Sequence, residues 1–114
     1  MTDIKIHDDR AQGRLEARAG SEVVGHIAYF EQSEPVRALV AVHTVVEPAH
    51  EGQGIAGSLA RELYALAGRE NAAVVPLCPY VAKWAERHPD EAPAAAPELV
   101  EAAKRQLAAD PGKW

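Results

Sequence analysis

The feature that most constrains this chain is a change of hydrophobic period across a glycine-rich stretch. Up to Val46 the apolar residues follow the alternation of extended strands. Past Pro48, Leu59, Leu63 and Leu66 recur at the spacing of about 3.6 residues that belongs to a helix, with Ala56, Ala60 and Ala67 along the same flank. Between the two regimes runs His50-Glu51-Gly52-Gln53-Gly54-Ile55-Ala56-Gly57-Ser58. The chain must therefore pass from a sheet into a helix through a loop whose glycines tolerate backbone conformations closed to other residues.

Upstream of that loop four extended segments are expected. Ile4 and Ile6 alternate with polar neighbours, Arg14 to Arg18 repeats the pattern, and Gly20-Ser21 suits a tight turn into Glu22 to Phe30. This order predicts an antiparallel meander. The third segment is apolar on both faces, Val23 and Ile27 on one and Val24, Ala28 and Phe30 on the other, as in an interior strand covered twice. Val36 to Val46 reads the same way, with Val36, Ala38, Val40, Val42 and Val46 facing one side and Leu39, Ala41, His43 and Val45 the other.

Downstream, the amphipathic helix is expected to end near Gly68, and Ala72 to Leu77 forms a short buried strand ending at Cys78. Pro79 suits the first position of a helix, where no N–H is needed, which makes Cys78 the N-cap of a helix running to about Arg87 and closed by Pro89. Asp90 to Pro97 is an Ala/Pro-rich linker. Glu98 to Ala108 carries Leu99, Ala102, Ala103 and Leu107 on one side and is expected to dock loosely as a last helix.

Composition excludes several classes of function. A chain of 114 residues with 47% apolar content builds one core. A net charge of -5 leaves no excess of cations for a nucleic-acid backbone. Cys78 is the sole cysteine, no apolar run approaches the roughly 20 residues of a membrane span, and the start lacks a leader pattern, so a reducing, cytoplasmic setting with no membrane partner is expected. The five histidines, His7, His26, His43, His50 and His88, are scattered without zinc-ligand spacing, and no metal is expected.

Two readings are open for the 50–58 loop: a ligand-free turn, or a cradle in which free N–H groups and the helix dipole hold an anion such as a pyrophosphate. It contains no Gly-Lys-Ser/Thr, so it is not a nucleoside-triphosphate loop, and a dinucleotide fold needs further βαβ units. An acyl-CoA site remains.

Gly52-Gln53-Gly54-Ile55-Ala56 followed by Leu59 resembles the acetyl-CoA loop of GCN5-related N-acetyltransferases, whose Gln/Arg-x-x-Gly-x-Gly/Ala pattern falls on residues 51–56 with Glu51 in the first place. Together with His43-Thr44, Val46, Pro48, Val75-Pro76, Cys78, Tyr80-Val81 and Arg87-His88-Pro89, the stretch from Ile4 to Pro89 resembles the minimal, single-domain subgroup of that superfamily. The resemblance implies an α+β (α/β) fold with a mixed, mostly antiparallel sheet of about five strands, helices on both faces, and a cofactor site where the fourth and fifth strands splay apart. Residues 1–90 would form the acetyl-CoA-binding domain and residues 91–114 the linker and last helix.

It further implies that acetyl-CoA rests its pyrophosphate on Gly52, Gln53, Gly54, Ile55, Ala56, Gly57 and Ser58 and its pantetheine arm beside Val45 and Val46, bringing the thioester towards Cys78, the subgroup's proposed acetyl-accepting residue. The partner would be an amine acceptor, on a small molecule or a protein. A cysteine ending an apolar strand is often only a small buried residue, yet a thiol at a helix N-terminus has its nucleophilic thiolate favoured by the dipole. His43, on the neighbouring strand, is either a packed imidazole or a general base. Tyr80 shares a helical face with Trp84 and His88, either packing or lining the thioester pocket. An acyl-CoA-binding or sensing module with little turnover is the alternative function, and an edge strand leaves monomer or weak homodimer open.

Overall fold

The computed structural model describes residues 4–109, so residues 1–3 and 110–114, the outer ends of the two expected segments, lie outside the described residues. Its elements are β1 (Ile4–Asp9), β2 (Arg14–Ala19), β3 (Glu22–Gln32), β4 (Ala38–Val46), α1 (Ile55–Arg69), β5 (Ala73–Pro76), α2 (Pro79–Arg87) and α3 (Pro97–Ala109), with short 3-10 turns at Arg10–Gln12 and Pro48–His50. The five strands lie side by side in chain order. β1 to β4 pair antiparallel, and β5 pairs parallel to β4. A parallel neighbour requires a long crossover, and α1 supplies it.

Strand alternation divides the core in two. On one face Leu59 and Leu63 of α1 and Val81 and Trp84 of α2 pack against Leu15, Ile27, Tyr29, Leu39 and Ala41. On the other, Leu99 and Ala103 of α3 cover Ala38, Val40 and Val75. Loose docking of the last helix is therefore corrected: Leu99 is 5% exposed and Ala103 fully buried, and Gln32 donates a side-chain hydrogen bond to the Leu99 carbonyl at 3.4 Å. The cause is the two-sided apolarity of β4 and β5, which leaves valines in water unless something covers the second face. The expected start of the fourth strand moves as well. Val36 follows Pro35 in a bend and is exposed, and pairing begins at Ala38.

Two bulges set which side chains reach which face. Ala17 pairs with Gly25 and Arg18 with Val23, so Val24 is an extra residue and joins Ile27 and Tyr29 in one cluster instead of opposing Ile27. In β4, Tyr29 pairs with Ala41 and Ala28 with His43, which makes Val42 the extra residue. One added residue reverses the alternation beyond it. Thr44 then pairs with Ile27 on the α1 side, Val46 packs against the same cluster, and His43 and Val45 move to the opposite face, paired with Ala28 and His26. Opposite Val46, Gly25 allows close packing, since a Cβ there would lie 3.1 Å from the Val45 carbonyl and 3.2 Å from the Ile55 side chain.

Arg10 ties the far end together. Its guanidinium bonds Asp8 at 3.0 Å, Glu31, and Glu70 just past α1, where the first contact measures 3.1 Å. The Arg10 charge holds the Glu70 carboxyl below its usual range.

Two outcomes follow. Leu99→Ala is expected to lower unfolding free energy in urea by about 2–5 kcal/mol, the cost of emptying a packed site, whereas a loosely docked helix would show a change within about 0.5 kcal/mol. His26 lies edge-on to His43 at 5.9 Å between ring centres, and burial, then Arg14 and His43, lower its pKa. The unfolded chain therefore binds the His26 proton first as pH falls through about 6.5, so stability drops below that pH until the folded imidazole also titrates. His26→Gln should flatten this slope in urea titrations compared across pH 5–7.

Candidate functional site

β4 and β5 remain paired only from Ala38 with Ala73 to Ala41 with Pro76. Past that point β5 turns into α2, held by a hydrogen bond from the Cys78 N–H to the Ala41 carbonyl at 3.0 Å, while β4 continues through the Val42 bulge to Val46. Residues 42–46 thus present a strand edge without a strand partner on that side, and edge backbone groups seek hydrogen bonds.

The opening beside this edge is a cavity of about 390 Å³ lined by Thr44, Val46, the loop from His50, and Ile55, Ala56 and Gly57 of α1, with Tyr80 of α2 closing one side. The loop reaches the helix through two left-handed residues, Gly52 at φ 82° and Gly54 at φ 78°, the latter being the N-cap of α1. A Cβ at either position meets nothing within 4 Å, so the requirement for glycine is conformational rather than steric. Gly54 supplies no side-chain cap, and the first bond within the helix runs from the Ser58 N–H to the Gly54 carbonyl at 3.0 Å. The N–H groups of Ile55, Ala56 and Gly57 therefore lack acceptors inside the helix, and these three residues line the cavity.

Charge at the cavity is sparse and acidic. Glu51 and His50 are its ionisable carboxylate and imidazole, and among the described residues no lysine or arginine lines it. Beside them, Glu22, Glu47 and His50 bring three potential ligand atoms within 4.8 Å of one another, with both glutamates exposed, and the His50 Nδ1 has no hydrogen-bond partner among the described residues. Sequence spacing missed this grouping because Glu22 comes from a different strand. Anion affinity at such a wall rests on the free N–H groups and the helix dipole.

Cys78 is the N-cap of α2 and 3% exposed, with Pro79 in the first helical turn as expected. Its carbonyl accepts from the Ala82 N–H at 3.0 Å. Its Sγ lies 3.3 Å from Thr44 Oγ1, and Thr44 in turn lines the cavity. The expected juxtaposition of His43 with Cys78 is replaced by that of Thr44, because the bulge turns His43 to the face it shares with His26. Of the expected cofactor residues, Val46, Gly52, Gly54, Ile55, Ala56 and Gly57 line the cavity. Gln53 and Ser58 are exposed in the loop and first turn, and Val45 is exposed on the His26 side.

Tyr80 combines its two readings differently from Trp84 and His88. The latter pair stack at 4.2 Å, and Trp84 stacks on Tyr64 at 5.8 Å. Tyr80 is 42% exposed and lines the cavity, near enough to α1 that a Cβ at Gly57 would lie 3.6 Å from its hydroxyl.

A family model described as GCN5-related N-acetyl-transferase matches residues 14–94. Among solved structures, the chain is similar to a ribosomal-protein-alanine N-acetyltransferase from Brucella melitensis biovar Abortus 2308, with 28% identity, a TM-score of 0.57, and coverage of 73% of this chain and 62% of that one. This chain thus spans less than two thirds of that protein. No curated protein sequence matches significantly. The matched residues take in the bulged strand, the glycine loop and the Cys78 turn, and with well over half its length matched the chain belongs to the GCN5-related N-acetyltransferase family.

Proposed function

We propose that the protein is an acetyl-CoA-dependent N-acetyltransferase that passes an acetyl group to an amine of a small molecule or protein through acetyl-Cys78. The observation that carries this reading is the continuity of one cavity from the free N–H groups of α1, past the unpaired edge of β4, to Thr44 at the Cys78 sulfur. On this reading the N–H groups of Ile55, Ala56 and Gly57 receive the pyrophosphate, and the backbone of residues 42–46 pairs with the pantetheine amides.

The Cys78 sulfur attacks the thioester carbonyl, the bond from that carbon to the CoA sulfur breaks, and CoA leaves as its thiol with the proton Cys78 loses. The acceptor nitrogen then attacks the acetyl-Cys carbonyl, and the bond to Sγ breaks as the amine proton restores the thiol. Neither step requires His43, which the fold pairs with His26. Residues 1–90 serve as the acetyl-CoA-binding domain, and residues 91–114 are the Ala/Pro-rich linker and C-terminal helix. The same reading places the protein in the reducing cytoplasm, as a monomer or weak homodimer, without nucleic acid, membrane or resident metal as partner. No helix of the described residues is long and apolar enough to cross a membrane.

The burial of Cys78 favours a second reading, an acyl-CoA-binding or sensing module without efficient turnover. Intact-mass measurement after incubation with acetyl-CoA separates the two. The wild type is expected to gain one acetyl group, removable by hydroxylamine, and Cys78→Ala to gain none; an unmodified wild type that still binds CoA supports the module. Calorimetry with CoA tests the site itself, because Gly54→Leu forces a side chain into a left-handed backbone and should weaken binding at least about tenfold. Unchanged affinity would overturn the cradle.

A further inference from the structure

We propose that Thr44 is the positioning residue for Cys78, its hydroxyl holding the sulfur towards the cavity and donating a hydrogen bond to it as it becomes the attacking thiolate. This rests on the acetyl-Cys78 reading and adds the group that orients the nucleophile. Three observations meet at this point. The extra residue at Val42 brings position 44, rather than 43, onto the Cys78 side of the sheet. Thr44 Oγ1 then stands 3.3 Å from Sγ while also lining the cavity. Both backbone polar groups of Cys78 are engaged, the N–H by Ala41 and the carbonyl by Ala82, which leaves rotation about χ1 to set where the sulfur points.

Packing alone does not call for a hydroxyl here. β4 carries valine at positions 40, 42, 45 and 46, and valine has the shape of threonine and the same preference for strands. A thiol can donate to or accept from the hydroxyl, but a thiolate can only accept. The direction of the bond is therefore fixed once the proton has gone, and a hydrogen bond to a charged partner is stronger than a neutral one. When Sγ forms its bond to the acetyl carbon its negative charge disappears, and the hydroxyl is released from that role. Thr44 thus favours the reactive form over the acylated one without touching the acetyl-CoA thioester.

Two rates test this in the full chain. The first is alkylation of Cys78 by iodoacetamide without acetyl-CoA, and the second is single-turnover formation of acetyl-Cys78 at saturating acetyl-CoA, both followed by intact mass. Thr44→Val, with Thr44→Ala as a second hydroxyl-free variant should the first not fold, is expected to slow both by about tenfold or more, and Thr44→Ser to keep both within about threefold of wild type. Wild-type alkylation in a folded hydroxyl-free variant would overturn the proposal, and so would a serine variant as slow as the valine one, since shape rather than the hydroxyl would then matter. A wild type that forms no acetyl adduct refutes the acetyl-Cys78 route separately, while the alkylation rates still report on Thr44.

Discussion

The extra residue in β4 governs the rest of the site. Without the bulge, with Val42 paired like its neighbours, the strict alternation of a strand would send Thr44 to the α3 side with Ala38 and Val40, and would place His43 and Val45 beside Leu39 and Ala41. With it, the first half of β4 keeps its core contacts and the second half exchanges faces. The bulge also lies just past Ala41 and Pro76, the last pair joining β4 to β5. Reversal of side-chain direction and separation of the strands therefore occur at one place, as expected of an irregularity that disrupts a ladder and increases local twist.

That arrangement depends on a sheet stiff enough to hold it, and stiffness here comes from coverage of both faces. α1 and α2 bury one side, with α1 drawn close at its start because Gly25 has no side chain to keep Ile55 away. α3 covers Val40 and Val75 from the other side. The short β5 has only four residues, and its position is fixed from both layers at once, by Val74 in one cluster and Val75 in the other. The Cys78 turn inherits that position directly, being two residues beyond the end of β5.

Much of this was legible in the sequence because it follows from period and punctuation. The meander, the switch to α1 after the glycine loop, the buried strand ahead of Cys78 and the Pro79 helix start all depend on local patterns, and they stand within a few residues of where those patterns put them. What was not legible depends on register. Val23, Val24, Val42, Val45 and Val46 are chemically interchangeable, so no local signal marks which of them is the unpaired residue, and a one-residue error exchanged Thr44 for His43 beside the thiol. The firm docking of α3 is hidden in the sequence for a related reason. Its small alanines suggest weak docking until the valines awaiting cover on the second face of the sheet are counted as part of its environment.

The electrostatics of the cavity complete the division of labour. A protein of net charge -5 with Glu51 in the loop and Glu22 and Glu47 nearby does not draw phosphates from a distance, since carboxylates act over a screening length of about 8 Å at physiological salt. Backbone N–H groups act only at contact, where their geometry is fixed by the helix and costs nothing further to organise. An anion received at the start of α1, as proposed, would therefore be selected by fit rather than by long-range attraction, and the left-handed turns at Gly52 and Gly54 shape the loop for it. Holding the cofactor and handling the acyl group are then separate problems in this fold. On the proposed reading the loop would solve the first with backbone alone, leaving the side chains of Thr44 and Tyr80 in the cavity lining, and Cys78 beside Thr44, for the second.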